Sequence, residues 1–320
     1  MQNNLGVSII VCCYNSAWII ERCLSAIISQ RVSQGLCWEL ILVNNASSDN
    51  TKELAKRILK NSGINYLIKD ENMPGLLNAR KCGVTMARYS IMIFCDDDNI
   101  LCSTYVQTAY DIMRARPELG ALGGKGEAEF QTTPDPFILA YLSSYAVGSQ
   151  ANHSKDCVWG AGLCLRSEIV RKIYAKQEMY LTGRKGDVLL AGDDGELVLS
   201  VRLNGFECDS DDRLEYVHVL ASKRLTKNYI NKMFQGFALA SPIITIYNSI
   251  LKRRSFLYIF LSYLILWVRF VKNISFNSSK ETLFIRTYVY NIIKAYHSWS
   301  FKGLYIIYKK LKVIYPFPQK

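Results

Sequence analysis

Four short apolar runs in the first hundred residues, separated by stretches with helical spacing, constrain this chain more than any other feature. Val7–Cys13 (VSIIVCC) is continuous and β-rich, as a strand buried on both faces requires. Ile19, Leu24, Ile27 and Ile28 then recur with helical spacing over Trp18–Gln30. Leu40–Val43 reads as the next strand, and Ser47, Ser48 and Asp49 cap a helix from Thr51 to Asn61. A strand at Ile64–Ile68, a helix at Leu76–Ala87 and a strand at Ser90–Cys95 complete the pattern. Such alternation predicts an α/β fold with a mostly parallel sheet covered by helices. Ligands of these sheets bind beyond the carboxyl ends of the strands. The polar clusters Asn15, Asn44-Asn45 and Asp96-Asp97-Asp98 fall at those ends. No GxGxxG follows the first strand and no GxxxxGK[ST] occurs, which argues against dinucleotide and P-loop sites.

Asp96, Asp97 and Asp98 follow an apolar strand directly, and three adjacent carboxylates repel one another. An acidic turn is the plainest account. A buried strand that delivers carboxylates to the sheet's carboxyl edge suits a divalent cation better, because Mg²⁺ and Mn²⁺ take oxygen ligands from carboxylates and substrate phosphates.

Six segments together resemble the family 2 glycosyltransferases with the GT-A fold: VSIIVCCYN (7–15), ELILVNNASSDNT (39–51), ENMPGLLNARKCGV (71–84), IFCDDDN (93–99), GAGLCLR (160–166) and AGDDGELVLSVRLNGF (191–206). They occur in family order over two-thirds of the chain. The resemblance implies a Rossmann-like sheet, a nucleotide-sugar donor and a divalent cation, Mn²⁺ or Mg²⁺. The family's DxD falls on Asp96 and Asp98, with Asp98 on the metal and Asp96 facing the ribose or the metal's water shell. Tyr14, Asn15 and Asp97 are assigned to the nucleotide pocket. Asn44-Asn45 stands where most members carry Asp-Asp or Asp-Asn, and the first position contacts the base. An Asn carbonyl still accepts an N–H, so a uridine diphosphate donor remains the expectation. Arg80 matches a basic residue that reaches the donor. Asp193-Asp194 matches the Glu-Asp motif, which makes Asp194 the general base and places Asp193 with the acceptor. A sugar hydroxyl must lose its proton as it attacks, and a positioned carboxylate can take it. A metal would stabilise the leaving diphosphate. Acids also favour a helix N-terminus, and Glu196–Leu203 reads as that helix, closed by Asn204-Gly205. Trp159 and Gly160 lie under the acceptor in the family; Trp159 either stacks on a sugar or fills the core. His218, followed by Arg224, matches a position near the diphosphate and the metal, or is structural. His153 and His297 stand in no supporting context, and Asp209, Asp211 and Asp212 read as a solvated turn.

Charge is divided unevenly. Residues 1–220 hold 22 Lys+Arg and 26 Asp+Glu, a net −4, whereas residues 221–320 hold 17 Lys+Arg and Glu281 alone, a net +16. The expected organisation is a catalytic domain over 1–222, with a nucleotide-sugar half (1–105) and an acceptor half (106–222), followed by a helical, membrane-associating region over 223–320. Met233–Leu251 and Phe256–Val268 carry no charge, and Lys252-Arg253-Arg254 separates them. The second run has 13 residues, short of the roughly 20 that span a bilayer. Membrane hairpin, in-plane helix and core helix all fit. On a helical wheel of about 100° per residue, Leu304, Ile307, Tyr308, Leu311, Ile314 and Tyr315 oppose Lys302, Lys309, Lys310 and Lys312, and Pro316 ends the segment. This is the pattern of a helix lying on an anionic membrane. A helical cap packed on the catalytic domain has the same periodicity. Ten of the 20 tyrosines also lie in 221–320, and amphipathic aromatics suit the interface.

Met1–Gly6 lacks the basic and apolar regions of a signal peptide, and the ten cysteines form no CxxC and no zinc spacing. The expected setting is cytoplasmic, peripheral on the inner face of a bacterial membrane, with a glycan or lipid-linked glycan acceptor and no nucleic acid. Three competing functions fit the sequence less well. A sugar nucleotidyltransferase calls for a glycine-rich cationic loop where Tyr14-Asn15-Ser16-Ala17-Trp18 stands. A basic protein binding nucleic acid or membrane without catalysis conflicts with the acidity of the motif-bearing body. A degenerate transferase conflicts with intact Asp96, Asp98 and Asp194.

Overall fold

The computed structural model of the protein describes residues 4–151, 157–176, 179–185, 189–275 and 280–315. His153, Pro316 and residues 186–188 lie outside the described residues. The chain alternates β1 (Val7–Cys13), α1 (Ile20–Ile28), β2 (Trp38–Asn45), α2 (Thr51–Leu59), β3 (Tyr66–Glu71), α3 (Leu76–Met86) and β4 (Ile91–Asp96). Then come β5 (Asn99–Leu101), α4 (Tyr105–Ala115), β6 (Leu119–Phe130), α5 (Pro136–Leu139), β7 (Leu163–Arg166), α6 (Ser167–Lys176), α7 (Asp193–Leu203) and β8 (Glu207–Leu220). The last third is helical: α8 (Lys227–Leu251), α9 (Phe256–Ser275), α10 (Lys280–Trp299) and α11 (Phe301–Ile314).

The strands form one sheet in the order β3-β2-β1-β4-β7-β6-β8-β5. β1 to β4 are mutually parallel where they pair, and β7 turns the sheet antiparallel beside β4. The continuous apolar runs are buried on both faces: Ile9 and Val11 face α1 and α2, while Ile10, Ile41 and Phe94 belong to the core on the other face. This is the α/β, GT-A-like architecture expected, with C-terminal helices added.

Three local expectations change. The third strand forms over Tyr66–Glu71 rather than Ile64–Ile68, because pairing with β2 fixes its register from Leu40↔Tyr66 to Asn45↔Glu71. An edge strand has one partner and tolerates the polar residues this brings in. Asp209, Asp211 and Asp212 lie within β8, not in a turn. Arg116 pairs with Asp209 at 2.6 Å and Arg213 with Asp211 at 2.8 Å. The apolar side of α11 faces protein: Leu304, Ile307, Tyr308 and Leu311 are buried with α8 and α10 residues. A three-helix groove offers that stripe the same removal from water as lipid would, so this stripe packs on protein rather than facing lipid. Exposed apolar side chains concentrate on α9, where Leu257, Phe260, Leu261, Leu264, Ile265, Val268 and Val271 are all exposed; α11 exposes Tyr305, Ile306 and Val313.

One of the described helices, α8, is long and apolar enough to cross a membrane, and half of its most apolar window is buried inside the protein. It docks on the catalytic body through Tyr247, whose hydroxyl donates to Glu196 Oε1 on α7 at 2.8 Å.

Candidate active site

Two strand pairings and one helix start assemble the acidic cluster. β4 ends at Asp96, and Asp97 and Asp98 turn the chain into β5. β5 pairs antiparallel with β8 so that Asn99 faces His218. That register brings His218 Nε2 to 3.4 Å from Asp98 Oδ1. Arg224, in a short 3₁₀ turn beyond β8, places Nη1 2.5 Å from Asp98 Oδ2. All three side chains are buried. Burial opposes ionisation of Asp98, but the pull of His218 and Arg224 prevails and holds its carboxyl well below the usual range.

The orientation of the histidine ring is fixed by its neighbours. His218 Nδ1 lies 2.6 Å from the Tyr145 carbonyl oxygen, which can only accept, so Nδ1 carries a proton. Arg224 Nη1, which can only donate, lies 3.2 Å from Nε2. Nε2 thus lies between Arg224 Nη1 and Asp98 Oδ1. A carboxylate oxygen and an imidazole nitrogen side by side are groups that a divalent cation takes as ligands, with Asp96 as the adjacent carboxylate. No group of three or more His, Cys, Asp and Glu side chains forms a ready cage among the described residues. Phosphate oxygens commonly complete such sites for Mg²⁺.

A second cluster joins β4 to α7. Arg80, on α3, is buried, donates to Asp193 Oδ2 at 2.7 Å and lies 3.7 Å from Asp96 Oδ1. Its guanidinium packs on the Phe94 ring, 5.0 Å from the centroid. Burial pushes Asp193 up to about 6, against the Arg80 charge and together with the neighbouring Asp194. α7 begins at Asp193, three residues before the expected Glu196. Gly192 caps it at φ 93°, a left-handed conformation natural to glycine. Asp194 is consequently in the first turn. Its Oδ2 accepts from Gly160 N at 2.9 Å and its Oδ1 from Gly195 N at 2.8 Å. Gly160 has to be small: a Cβ there would lie 3.0 Å from both Arg80 Nη2 and Asp194 Oδ2. Trp159 is half-buried, and its backbone N–H donates to Gln150 Oε1 at 2.8 Å.

The ends of β1 and β2 form the third part. Tyr14 is 47% exposed at the rim. Asn15 takes φ 51°, accepts at Oδ1 from Ser48 N at 2.8 Å, and so ties β1 to the α2 entry. Asp97 accepts from the Ser16 hydroxyl and from Tyr14 N; burial and then the Asp98 charge push it up to about 7. Asn44 Nδ2 donates to Asp70 Oδ1 at 2.9 Å, while its buried Oδ1 has no partner within the protein. Asn45 is fully committed to backbone: Nδ2 donates to Glu71 O and Met73 O, and Oδ1 accepts from Gly75 N at 2.8 Å. It positions the loop into α3 and has little left to offer a ligand.

Sequence reasoning missed four contributors: Ser16 on Asp97, Asp70 on Asn44, Tyr145 behind His218, and Glu196, which accepts from Tyr180 N, Leu181 N and Tyr247. Only Ser16 carried a local signal, standing two residues beyond Tyr14 at the end of β1.

A mixed sheet with carboxylates massed at its parallel carboxyl ends defines a GT-A-type glycosyltransferase. The family profile described as glycosyl transferase family 2 matches residues 8–170, just over half of the sequence, and the chain belongs to that family. The chain is 30% identical over 119 residues to the poly-β-1,6-N-acetyl-D-glucosamine synthase of Staphylococcus aureus (strain COL), a match over 37% of this chain and 28% of that protein. The chain thus spans little more than a quarter of the length of the curated relatives it matches. Among solved structures it is similar to the mannosyltransferase PcManGT from Pyrobaculum calidifontis in complex with GDP-Man and Mn²⁺, with TM-score 0.54 and 13% identity over 98% of this chain and 76% of that one. Residues 1–349 of S. aureus TarS give TM-score 0.52 and 13% identity, over 93% of this chain and 74% of that one. At these identities the structural likeness speaks to the fold.

Proposed function

We propose that the protein is an inverting glycosyltransferase that moves a sugar from a uridine diphosphate donor to a hydroxyl of a glycan or lipid-linked glycan. The observation that carries this reading is the seating of Asp194. Two backbone N–H groups, from Gly160 and Gly195, grip its two oxygens, and Arg80 links its neighbour Asp193 to the DxD residue Asp96. Each gripped oxygen keeps a second lone pair, so the carboxylate is aimed yet still able to accept the acceptor's proton. Arg80 sets the spacing between the base and the donor side and lowers the repulsion among Asp96, Asp193 and Asp194.

On the donor side, Asp98, His218 and Asp96 would hold Mn²⁺ or Mg²⁺. The cation, when bound, supplies charge stabilisation to the leaving diphosphate. Arg224 keeps Asp98 ionised, and the Tyr145 carbonyl fixes the orientation of the His218 ring beside it. Asn44 Oδ1, buried and unpartnered, supports base recognition: it can accept a ring N–H such as that of uracil. Tyr14, Asn15 and Asp97 border the nucleotide, Asn45 acts on it by positioning, and Trp159, Gly160 and Asp193 border the acceptor. The curated relative's name, a polymer synthase of N-acetylglucosamine, supports a glycan product.

The same reading places the enzyme on the anionic inner face of a bacterial membrane. The +16 charge of 221–320 and the exposed apolar face of α9 support this. A thermal-shift panel of nucleoside diphosphates and nucleotide sugars, with and without Mn²⁺, tests the donor side: UDP compounds should stabilise the protein most, and only with metal. Asp194→Asn should keep that shift and lose turnover by about 10²–10⁴. A near-normal rate in this variant would falsify the base assignment.

A further inference from the structure

Glu196 shares the start of α7 with Asp193 and Asp194, is fully buried, and has no part in the chemistry described so far. Its carboxylate is committed to three donors. Oε1 accepts from Tyr180 N at 3.0 Å and from the Tyr247 hydroxyl at 2.8 Å, and Oε2 accepts from Leu181 N at 2.7 Å. Tyr180 and Leu181 begin a segment, 180–185, that lies outside every named helix and strand. Two further contacts fix its course. A Cβ on Gly183 would lie 2.7 Å from Asp193 Cγ and Oδ1, so the backbone there runs directly against the Asp193 carboxyl. Arg184 O accepts from Leu76 N at 3.0 Å, one of the N–H groups that a helix start leaves without an internal partner. Leu76 opens α3, the helix that carries Arg80. The contacts close a ring: Glu196 holds the segment, the segment abuts Asp193 and α3, and Arg80 on α3 returns to Asp193 at 2.7 Å. α8 packs on the same place. A Cβ on Gly192 would lie 2.8 Å from Ala240 Cβ on α8 and 2.9 Å from Leu181 Cδ1, so the α7 start, α8 and the segment meet with no room for a side chain.

We propose that Glu196 and Tyr247 are positioning residues for sugar transfer: through the 180–185 segment they set the first turn of α7, and with it the carboxylate of Asp194. The C-terminal helices then belong to the catalytic machinery through α8. Neither residue touches the reacting atoms. The N–H groups of a first helical turn have no acceptor within the helix, so the direction of that turn is set by what packs on it. Here these are Gly183 and Arg80 on Asp193, and the segment held by Glu196. A displacement of about 1 Å at a catalytic group costs about a hundredfold in rate, whereas a link that only holds the fold together costs stability alone. The proposal rests on the transferase reading, which makes Asp194 the base.

The test compares the full-length protein with Tyr247→Phe, Glu196→Ala and Glu196→Gln. Ile250→Val is the control, a buried α8 side chain packed among the C-terminal helices. Two quantities are read well below the melting temperature: hydrogen exchange at the Gly160 and Gly195 amides, which donate to Asp194, and release of UDP from UDP-N-acetylglucosamine with Mn²⁺. Tyr247→Phe should speed exchange at both glycines and lower kcat about tenfold, with the donor KM unchanged. Glu196→Ala should lower kcat about a hundredfold. Glu196→Gln still accepts from Tyr247 and from Tyr180 N, and should recover most of that loss. Ile250→Val loses packing and should change neither quantity. Gly160 precedes β7 and is not part of α8, so fraying of α8 alone leaves its exchange unmoved. Tyr247→Phe matching Ile250→Val in both kcat and Gly160 exchange overturns the proposal, and does so whether or not Glu196→Ala folds. A wild type that releases no UDP counts against the transferase reading, while exchange at the two glycines still decides whether Tyr247 and Glu196 position Asp194.

Discussion

The sheet body and the C-terminal helices handle charge in opposite ways. The body buries ionised groups in fixed pairs, Asp98 with Arg224 and Arg80 with Asp193, each at hydrogen-bond distance. The helical region carries four times the net charge of the body, with opposite sign, yet its core is built from apolar and tyrosine side chains such as Tyr247, Tyr296 and Tyr308. Buried pairs are costly to desolvate and contribute little net stability; what they give is position. Exposed cations are cheap and unpositioned, and they bias which surface the molecule approaches. The difference separates chemistry from location within one chain.

Asp98→Asn is the strongest way to break that contrast. If the pair serves chemistry, turnover should fall by about 10³ or more, roughly 4 kcal/mol. Stability should fall as well, because Arg224 is left buried without its partner. Asp98→Asn with Arg224→Leu should recover melting temperature but not turnover. Recovery of both would show that the pair is only scaffold. Arg80→Leu probes the other pair. It strands Asp193 and should cost about 3–5 kcal/mol in denaturant unfolding, with most of the loss restored by adding Asp193→Asn.

Most of the body was legible because buried parallel strands are written as contiguous apolar runs, and the site residues stand at their ends. Asp96 and Asp98 could be placed this way, and Asp193 and Asp194 by their match to the family's motif. Their partners could not. Asp98 meets His218 only through the β5–β8 register, and Asn44 meets Asp70 only through the β2–β3 register. Such pairings depend on distant strands and leave no local periodicity. α11 shows the converse limit. Its amphipathic pattern was correct, but a stripe of Leu304, Ile307 and Leu311 buries equally well against lipid or against α8, and only the packing decides.

Glu196 sharpens the comparison at the seam, because it ties α7 to α8. Burial pushes it from 4.5 up to about 7 despite three donated hydrogen bonds. A carboxyl raised in the folded state stabilises the fold fully below pH 4.5, where it is protonated in both states. That contribution is lost as pH rises from about 4.5 through about 7. The upper bound is about 3 kcal/mol. Glu196→Gln keeps the shape and cannot ionise, so its unfolding free energy should lose that pH dependence relative to wild type. An unchanged slope between pH 4.5 and 7 would assign the dependence to other carboxyls.

The smallest effect tests location. On α9, Leu257, Phe260, Leu261, Leu264, Ile265, Val268 and Val271 fall within an arc of about 140°, and all are exposed. Burying a leucine in an apolar medium is worth about 1.5–3 kcal/mol. Leu261→Glu combined with Leu264→Glu should therefore reduce binding to vesicles containing phosphatidylglycerol by about tenfold or more, while the UDP-induced thermal shift stays in place. Lys302→Gln with Lys309→Gln on α11 should give a weaker, salt-dependent loss, about 1 kcal/mol per charge near the surface. Binding that survives the α9 change and disappears with the α11 lysines would mean that charge alone holds the protein to lipid, and that the apolar face of α9 serves another partner.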